Sequence, residues 1–120
     1  MRQFIIILSL LFVVTSMYSQ SDYYMRQARD YQRQAEYYTK QAQGYDRQAD
    51  YYNRQAQGYL RNAEYYSKRM KYDQSRTYQR KAKDATEKAE SYKKRADDAK
   101  DKARTYMRKA EKALQNARKR

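Results

Sequence analysis

A seven-residue repeat runs through the first half of the chain and leaves little choice of fold. Written in sevens from Tyr24, the sequence reads YMRQARD, YQRQAEY, YTKQAQG, YDRQADY, YNRQAQG, YLRNAEY and YSKRMKY. Tyr opens each unit, and in all but the last Ala follows four residues later. Intervals of four and three place the two residue types on one stripe of an α-helix, as the d and a positions of a coiled coil. A strand would need a period of two, which is missing here.

The predicted seam combines small and aromatic side chains. Ala buries little apolar area, whereas Tyr buries more but must keep its hydroxyl at water or at a partner. We therefore expect helices to pack closely along this stripe, and assembly into dimers or higher bundles to bury it. The seam residues are Ala28, Ala35, Ala42, Ala49, Ala56, Ala63, Tyr31, Tyr38, Tyr45, Tyr52 and Tyr59.

The same rhythm continues to the C-terminus with Ala in most seam positions and Tyr only every fourteen residues, at Tyr78, Tyr92 and Tyr106. The two blocks are out of register, because the a positions at Met70 and Ser75 are five residues apart instead of seven. Five residues turn a helix by about 500°, so on a straight helix the two stripes would lie roughly 140° apart. The sequence predicts an all-α fold without a globular core: either one long helix or a helical hairpin with Asp73 or Ser75 as an N-cap.

The N-terminus has the anatomy of a secretory signal peptide. Arg2 supplies a positive charge, an eleven-residue apolar run follows over 4–14, and small or polar residues lead to Ser19. Eleven residues are too few to span a bilayer comfortably. We therefore expect export, cleavage and an extracellular location. The predicted segments are a signal peptide over 1–19, a Tyr/Gln-rich heptad helix over 20–70, a register break over 71–77 and a Lys/Ala-rich heptad helix over 78–120.

Residues that most enzymes depend on are missing from the sequence, which contains no Cys and no His. Common catalytic bases, nucleophiles and transition-metal ligands are thereby excluded, and no phosphate-binding loop or calcium-loop spacing is present. We predict no enzymatic activity and no catalytic, cofactor or metal site. Without Cys, an exported chain also lacks disulfides, so any covalent stabilisation must use other chemistry.

A second, fourteen-residue period lies beside the seam, at heptad position c. Tyr alternates there with Asp30, Gly44 and Gly58. Each Gly lowers helix stability by about 1 kcal/mol relative to Ala in a helix interior. Its presence despite this cost indicates close approach of a neighbouring backbone or inheritance of the repeat. The c-position tyrosines exceed what a seam needs and are candidates for oxidative crosslinking or adhesion. They are Tyr23, Tyr37, Tyr51 and Tyr65.

Repeated Tyr with Lys and Arg behind a signal peptide resembles, in composition, secreted cement, holdfast, byssal and shell-matrix proteins. The resemblance covers residues 23–78. It implies a structural role in which tyrosines are hydroxylated or coupled to one another. The adhesive repeats of those proteins are typically rich in Gly or Pro and extended, whereas this chain has two Gly and no Pro and is predicted to be helical.

Basic residues dominate the surface, with 28 Lys and Arg against 14 Asp and Glu in the whole chain. One file stands at heptad position f, opposite the seam, and is a candidate anion-binding surface. We expect anionic polysaccharide, mineral or lipid as partners, and no specific nucleic acid. The file consists of Arg26, Arg33, Lys40, Arg47, Arg54, Arg61 and Lys68.

These features favour a secreted, self-assembling coiled-coil structural or matrix protein, with crosslinked tyrosines and adhesion to anionic surfaces. A cationic binding protein of host-defence type, acting on membranes or polyanions, is the alternative. A bacterial surface or periplasmic coiled-coil protein of no assigned role is a third possibility.

Overall fold

A computed structural model describes the backbone of residues 2–119 and the side chains of residues 20–119. It contains two α-helices, α1 over Arg2–Lys68 and α2 over Tyr72–Arg118, and no strand within the described residues. The predicted all-α fold is therefore confirmed. The predicted signal peptide, 1–19, lies outside the residues whose side chains are described. Within the described chain, no helix has a stretch long and apolar enough to cross a membrane.

A three-residue turn separates the helices and shows why α1 stops at Lys68. Met70 adopts a left-handed conformation with φ 63°. Its N–H donates to the Ser67 carbonyl at 3.0 Å, and the Lys71 N–H donates to the Tyr66 carbonyl at 2.9 Å. These are the two hydrogen bonds of a Schellman motif, which satisfies the last carbonyls of a helix. The break between the helices therefore occupies residues 69–71 and shares only Lys71 with the predicted register break over 71–77.

By its internal packing the chain divides into two compact units, which we describe separately. The first comprises residues 2–37 and 102–119, and the second comprises residues 38–101. The second unit holds the end of α1, the turn and the start of α2. Contacts between its two arms run antiparallel, so of the two predicted arrangements the hairpin is the one observed.

The predicted seam forms the interface between the two arms of the second unit. From α1, Ala42, Ala49, Ala56 and Ala63 are only 2–6% exposed. From α2, Ala82, Ala85, Ala89, Ala96 and Ala99 are equally buried, and Ala96 is 0% exposed. Because alanine side chains are short, the two helices can approach closely along this line. The seam of this unit is thus covered within one chain, and burial of its alanines requires no second copy.

Ser75 fills a seam position at the closed end of the hairpin. It is buried, and its hydroxyl donates a 2.9 Å hydrogen bond to the Ala63 carbonyl of α1. A hydroxyl buried among alanines needs such a partner, since leaving it unpaired would cost free energy. Neither predicted N-cap precedes α2. Ser75 lies inside the helix, and Asp73 lies in its first turn, paired with Arg76.

The first unit has the same kind of packing. Ala28 and Ala35 of α1 are 2% exposed, and Ala103, Ala110 and Ala113 of α2 are also buried. The rings of Tyr31 and Tyr106 stack across the two segments with their centres 6.2 Å apart. The alanine and tyrosine seam is therefore present in both units.

The two glycines of α1 have no packing reason to be glycine. A methyl group built at Gly44 or Gly58 would meet no atom within 4 Å. The open space excludes close approach of a neighbouring backbone within the chain, which favours inheritance of the repeat.

Replacing both glycines should stabilise the fold. We expect Gly44→Ala and Gly58→Ala each to raise the free energy of unfolding by about 1 kcal/mol, because Ala loses less backbone entropy in a helix. Urea unfolding followed by circular dichroism measures this. Gln43→Ala and Gln57→Ala are matched controls at exposed neighbouring positions and should change stability little. A loss of stability in the glycine variants would show that the glycines are required.

Candidate interaction surfaces

The half-buried tyrosines of the seam form clusters in the second unit. Tyr92 of α2 stacks on Tyr52 with ring centres 5.7 Å apart and planes within 6°, and it also contacts Tyr45 at 6.2 Å. Tyr78 repeats this arrangement with Tyr66 at 5.5 Å and Tyr59 at 6.2 Å. One tyrosine of α2 thus packs against two tyrosines of α1. This packing accounts for the fourteen-residue period on α2 and the seven-residue period on α1.

A file of basic residues on α2 lies over these rings. Lys81 Nζ is 5.1 Å from the centre of the Tyr78 ring and 6.0 Å from that of Tyr59. Lys88 Nζ lies 5.4 Å from the Tyr52 ring. Such cation–π contacts are each worth about 0.5–1 kcal/mol at exposed sites. The positive charges therefore partly cover the aromatic edge of the seam.

Sequence reasoning missed this second file, although the signal was available. Its members stand at heptad position g, seven residues apart, and beside each d-position residue of α2. In the first unit, Lys109 Nζ lies 5.1 Å from the Tyr106 ring and 5.8 Å from the Tyr31 ring. The file consists of Lys81, Lys88, Arg95, Lys102 and Lys109.

The four c-position tyrosines are on the outer side of α1, each 48–58% exposed. Tyr23, Tyr51 and Tyr65 contact the next tyrosine edge-on, with ring centres 5.2–5.5 Å apart. Glutamine amides donate to phenol oxygens, from Gln27 to Tyr23 at 3.1 Å and from Gln55 to Tyr51 at 2.8 Å. These rings are held in place by their neighbours while a large part of each remains at the surface.

The predicted f-position file is exposed along its whole length. Arg26 pairs with Asp22 at 3.1 Å and Lys68 with Glu64 at 3.3 Å, both on the surface of α1. The other five members form no ion pair within the described chain. Surface pairs of this kind contribute about 0–1 kcal/mol, so these side chains add little to stability and remain accessible to solvent.

The two halves of the chain differ in charge. Residues 21–70 hold nine basic and six acidic residues, a balance of +3, and residues 71–120 hold eighteen and eight, a balance of +10. Across the arms of the second unit one ion pair joins Lys100 to Asp46 at 3.1 Å. Most of the excess positive charge therefore lies in residues 71–120.

Within the described residues, no group of Asp and Glu is arranged to hold a metal ion. Every buried side-chain polar atom there has a hydrogen-bond partner. The outer tyrosines and the two basic files are surfaces that other molecules can reach. Comparison with known protein families, with curated proteins and with solved structures finds no match to this chain.

Proposed function

We propose that this chain is a secreted structural protein that associates with copies of itself through its outer tyrosines and adheres to anionic material through its basic surface. The observation that carries the proposal is the exposure of Tyr23, Tyr37, Tyr51 and Tyr65 beside a seam that is already filled. The seam tyrosines pack against one another, whereas the outer four contribute little to that packing. Their regular spacing provides repeated points of contact.

The geometry of the outer tyrosines suits crosslinking between chains. In the second unit Tyr51 and Tyr65 are fourteen residues apart on one helix, a separation of about 21 Å. Two rings that far apart on one helix cannot couple to each other. A bond between Tyr51 and Tyr65 must therefore join different molecules. A peroxidase with hydrogen peroxide supplies the chemistry. Two phenols lose one electron and one proton each, their rings join by a carbon–carbon bond, and the peroxide is reduced to two waters.

Peroxidase treatment tests this proposal. The wild-type protein should form covalent oligomers with dityrosine fluorescence. A variant with Tyr23, Tyr37, Tyr51 and Tyr65 changed to Phe should lose the larger part of both, and the coupling that is left should map to Tyr72, which is also exposed. The matched control changes the same number of seam tyrosines to Phe: Tyr31, Tyr45, Tyr52 and Tyr59. Because those rings are half-buried, the control should keep most of the coupling.

Two outcomes would contradict the proposal. Equal coupling in the two variants would show that exposure does not select the outer tyrosines. Release of dye from anionic vesicles by the uncrosslinked protein would instead favour the alternative, a cationic membrane-active protein.

A further inference from the structure

A recess interrupts the tyrosine clusters of the second unit at Ala85. Tyr78 and Tyr92 fill the seam positions on either side of it along α2, but Ala85 leaves the space between Tyr52 and Tyr59 empty. The recess has a volume of about 210 Å³. It exists because α1 carries Tyr every seven residues and α2 only every fourteen.

Both aromatic and ionic groups line this recess. Tyr52 and Tyr59 lie at its two ends along α1, and Ala85 is buried beneath it. Lys81, Lys88, Asp84 and Gln55 complete the lining. Neither lysine forms an ion pair within the described residues, and neither does Asp84. The recess therefore offers apolar ring surfaces, two positive charges and one carboxylate acceptor to the same ligand.

Part of this set recurs once more in the sequence of this unit, with one basic residue instead of two. Arg95, Asp98 and Ala99 stand fourteen residues after Lys81, Asp84 and Ala85 in α2. In α1 the matching tyrosines, fourteen residues before Tyr52 and Tyr59, are Tyr38 and Tyr45. Fourteen residues of helix span about 21 Å. A repeated set at a fixed interval suits a ligand that is itself a repeating polymer.

We propose that this recess binds a uronic-acid residue of an acidic polysaccharide. The sugar ring packs its C–H face against tyrosine. Its carboxylate lies between Lys81 and Lys88 and accepts hydrogen bonds from them. Hydrogen bonds between charged groups are stronger than those between neutral groups. Its hydroxyls donate to Asp84. This inference rests on the proposed adhesion to anionic material and names the sugar chemistry that the basic surface recognises.

Size and charge favour this ligand over other anions. The recess is smaller than the pockets of roughly 300–1,000 Å³ that enclose drug-sized molecules, so it suits a single ring. Asp84 repels phosphate groups, and a fully ionised polyphosphate has no proton to donate to it. A uronic acid carries both the anion that the lysines require and the hydroxyl donors that the aspartate requires.

The carboxylates of Asp84 and Asp98 in the protein supply the sharpest test. Asp84→Asn together with Asp98→Asn raises the net charge by two, so a nonspecific polycation would bind every polyanion more tightly. We expect the variant to bind a short oligogalacturonate about tenfold more weakly, since hydrogen bonds to a charged acceptor are lost. Binding of inorganic polyphosphate should become tighter. Titration calorimetry with both probes measures the two changes, and circular dichroism checks that these exposed substitutions leave the helices intact.

A pair of lysine variants separates the recess from charge in general. Lys81→Gln with Lys88→Gln should weaken oligogalacturonate binding about tenfold or more. Lys83→Gln with Lys94→Gln removes the same charge from exposed positions outside the recess lining and should weaken it much less.

Several outcomes would overturn the inference: equal losses in the two lysine variants, unchanged or tighter oligogalacturonate binding in the aspartate variant, or tighter binding of oligo(dT) than of oligogalacturonate by the wild type. Adhesion to anionic mineral or lipid and tyrosine coupling are measured separately. The proposed function can therefore stand when the sugar site fails, and can fail when the sugar site stands.

Discussion

Two carboxylates placed in the alanine seam should open the hairpin. Ala42 and Ala49 are 2% and 6% exposed and lie against the opposite arm of the second unit. An uncompensated buried charge costs about 3–5 kcal/mol, and a domain of this size has roughly 5–15 kcal/mol of stability in total. The variant Ala42→Asp with Ala49→Asp should therefore lose most or all of its cooperative unfolding. Its helix content should fall, because isolated helices are marginal in water.

The control for this experiment adds the same charge on the surface. Gln43→Asp and Gln48→Asp stand one position from the seam alanines, and both side chains are exposed. The urea concentration at which this control unfolds should be close to that of the wild type. If the seam variant and the control unfold at the same urea concentration, then the alanine stripe is not the interface that holds the arms together.

Removing a single tyrosine from α2 should cost more than removing either of its partners. Tyr92 contacts both Tyr45 and Tyr52, whereas each of those rings has one partner on α2. We expect Tyr92→Ala to lower the free energy of unfolding by about 2–3 kcal/mol, less than the 3–5 kcal/mol of fully buried aromatics because the ring is half-exposed. Tyr45→Ala or Tyr52→Ala should each cost about half as much.

Two further variants define the cause of that loss. Tyr92→Phe keeps the ring and should be nearly neutral if stacking rather than the hydroxyl holds the cluster. Tyr51→Ala removes an outer ring and should cost about 0.5 kcal/mol, as most surface changes do. If Tyr51→Ala lowered the free energy of unfolding as much as Tyr92→Ala does, the division of the tyrosines into seam and outer sets would be contradicted.

Periodicity alone predicted the seam, because alternating intervals of four and three identify one face of a helix whatever covers it. The alanines at 42, 49, 56 and 63 are accordingly buried. Periodicity could not choose between a rod and a hairpin. The turn has neither Gly nor Pro, and Met70 adopts the left-handed conformation that usually favours Gly. Without the usual stop residues, the register shift between Met70 and Ser75 was the local indication of where α1 ends.

Features that depend on the relation between the two arms were also beyond the sequence pattern. The seven-residue and fourteen-residue tyrosine periods can be read separately, but the two-to-one clusters and the recess at Ala85 appear only when the arms are paired antiparallel. The heptad position of Lys81 and Lys88 was visible, yet their place above tyrosine rings of the opposite arm was not. A charge file on one helix does not reveal which aromatic rings lie beneath it.

The outer tyrosines are the central claim of this account, and mass spectrometry of the protein in its native material tests them most directly. Peptide mapping should find dityrosine links or added oxygen at Tyr23, Tyr37, Tyr51 and Tyr65. The seam tyrosines, among them Tyr45, Tyr52 and Tyr59, should be unmodified. Modification concentrated on the seam tyrosines, or outer tyrosines that are unmodified throughout the native material, would contradict the account.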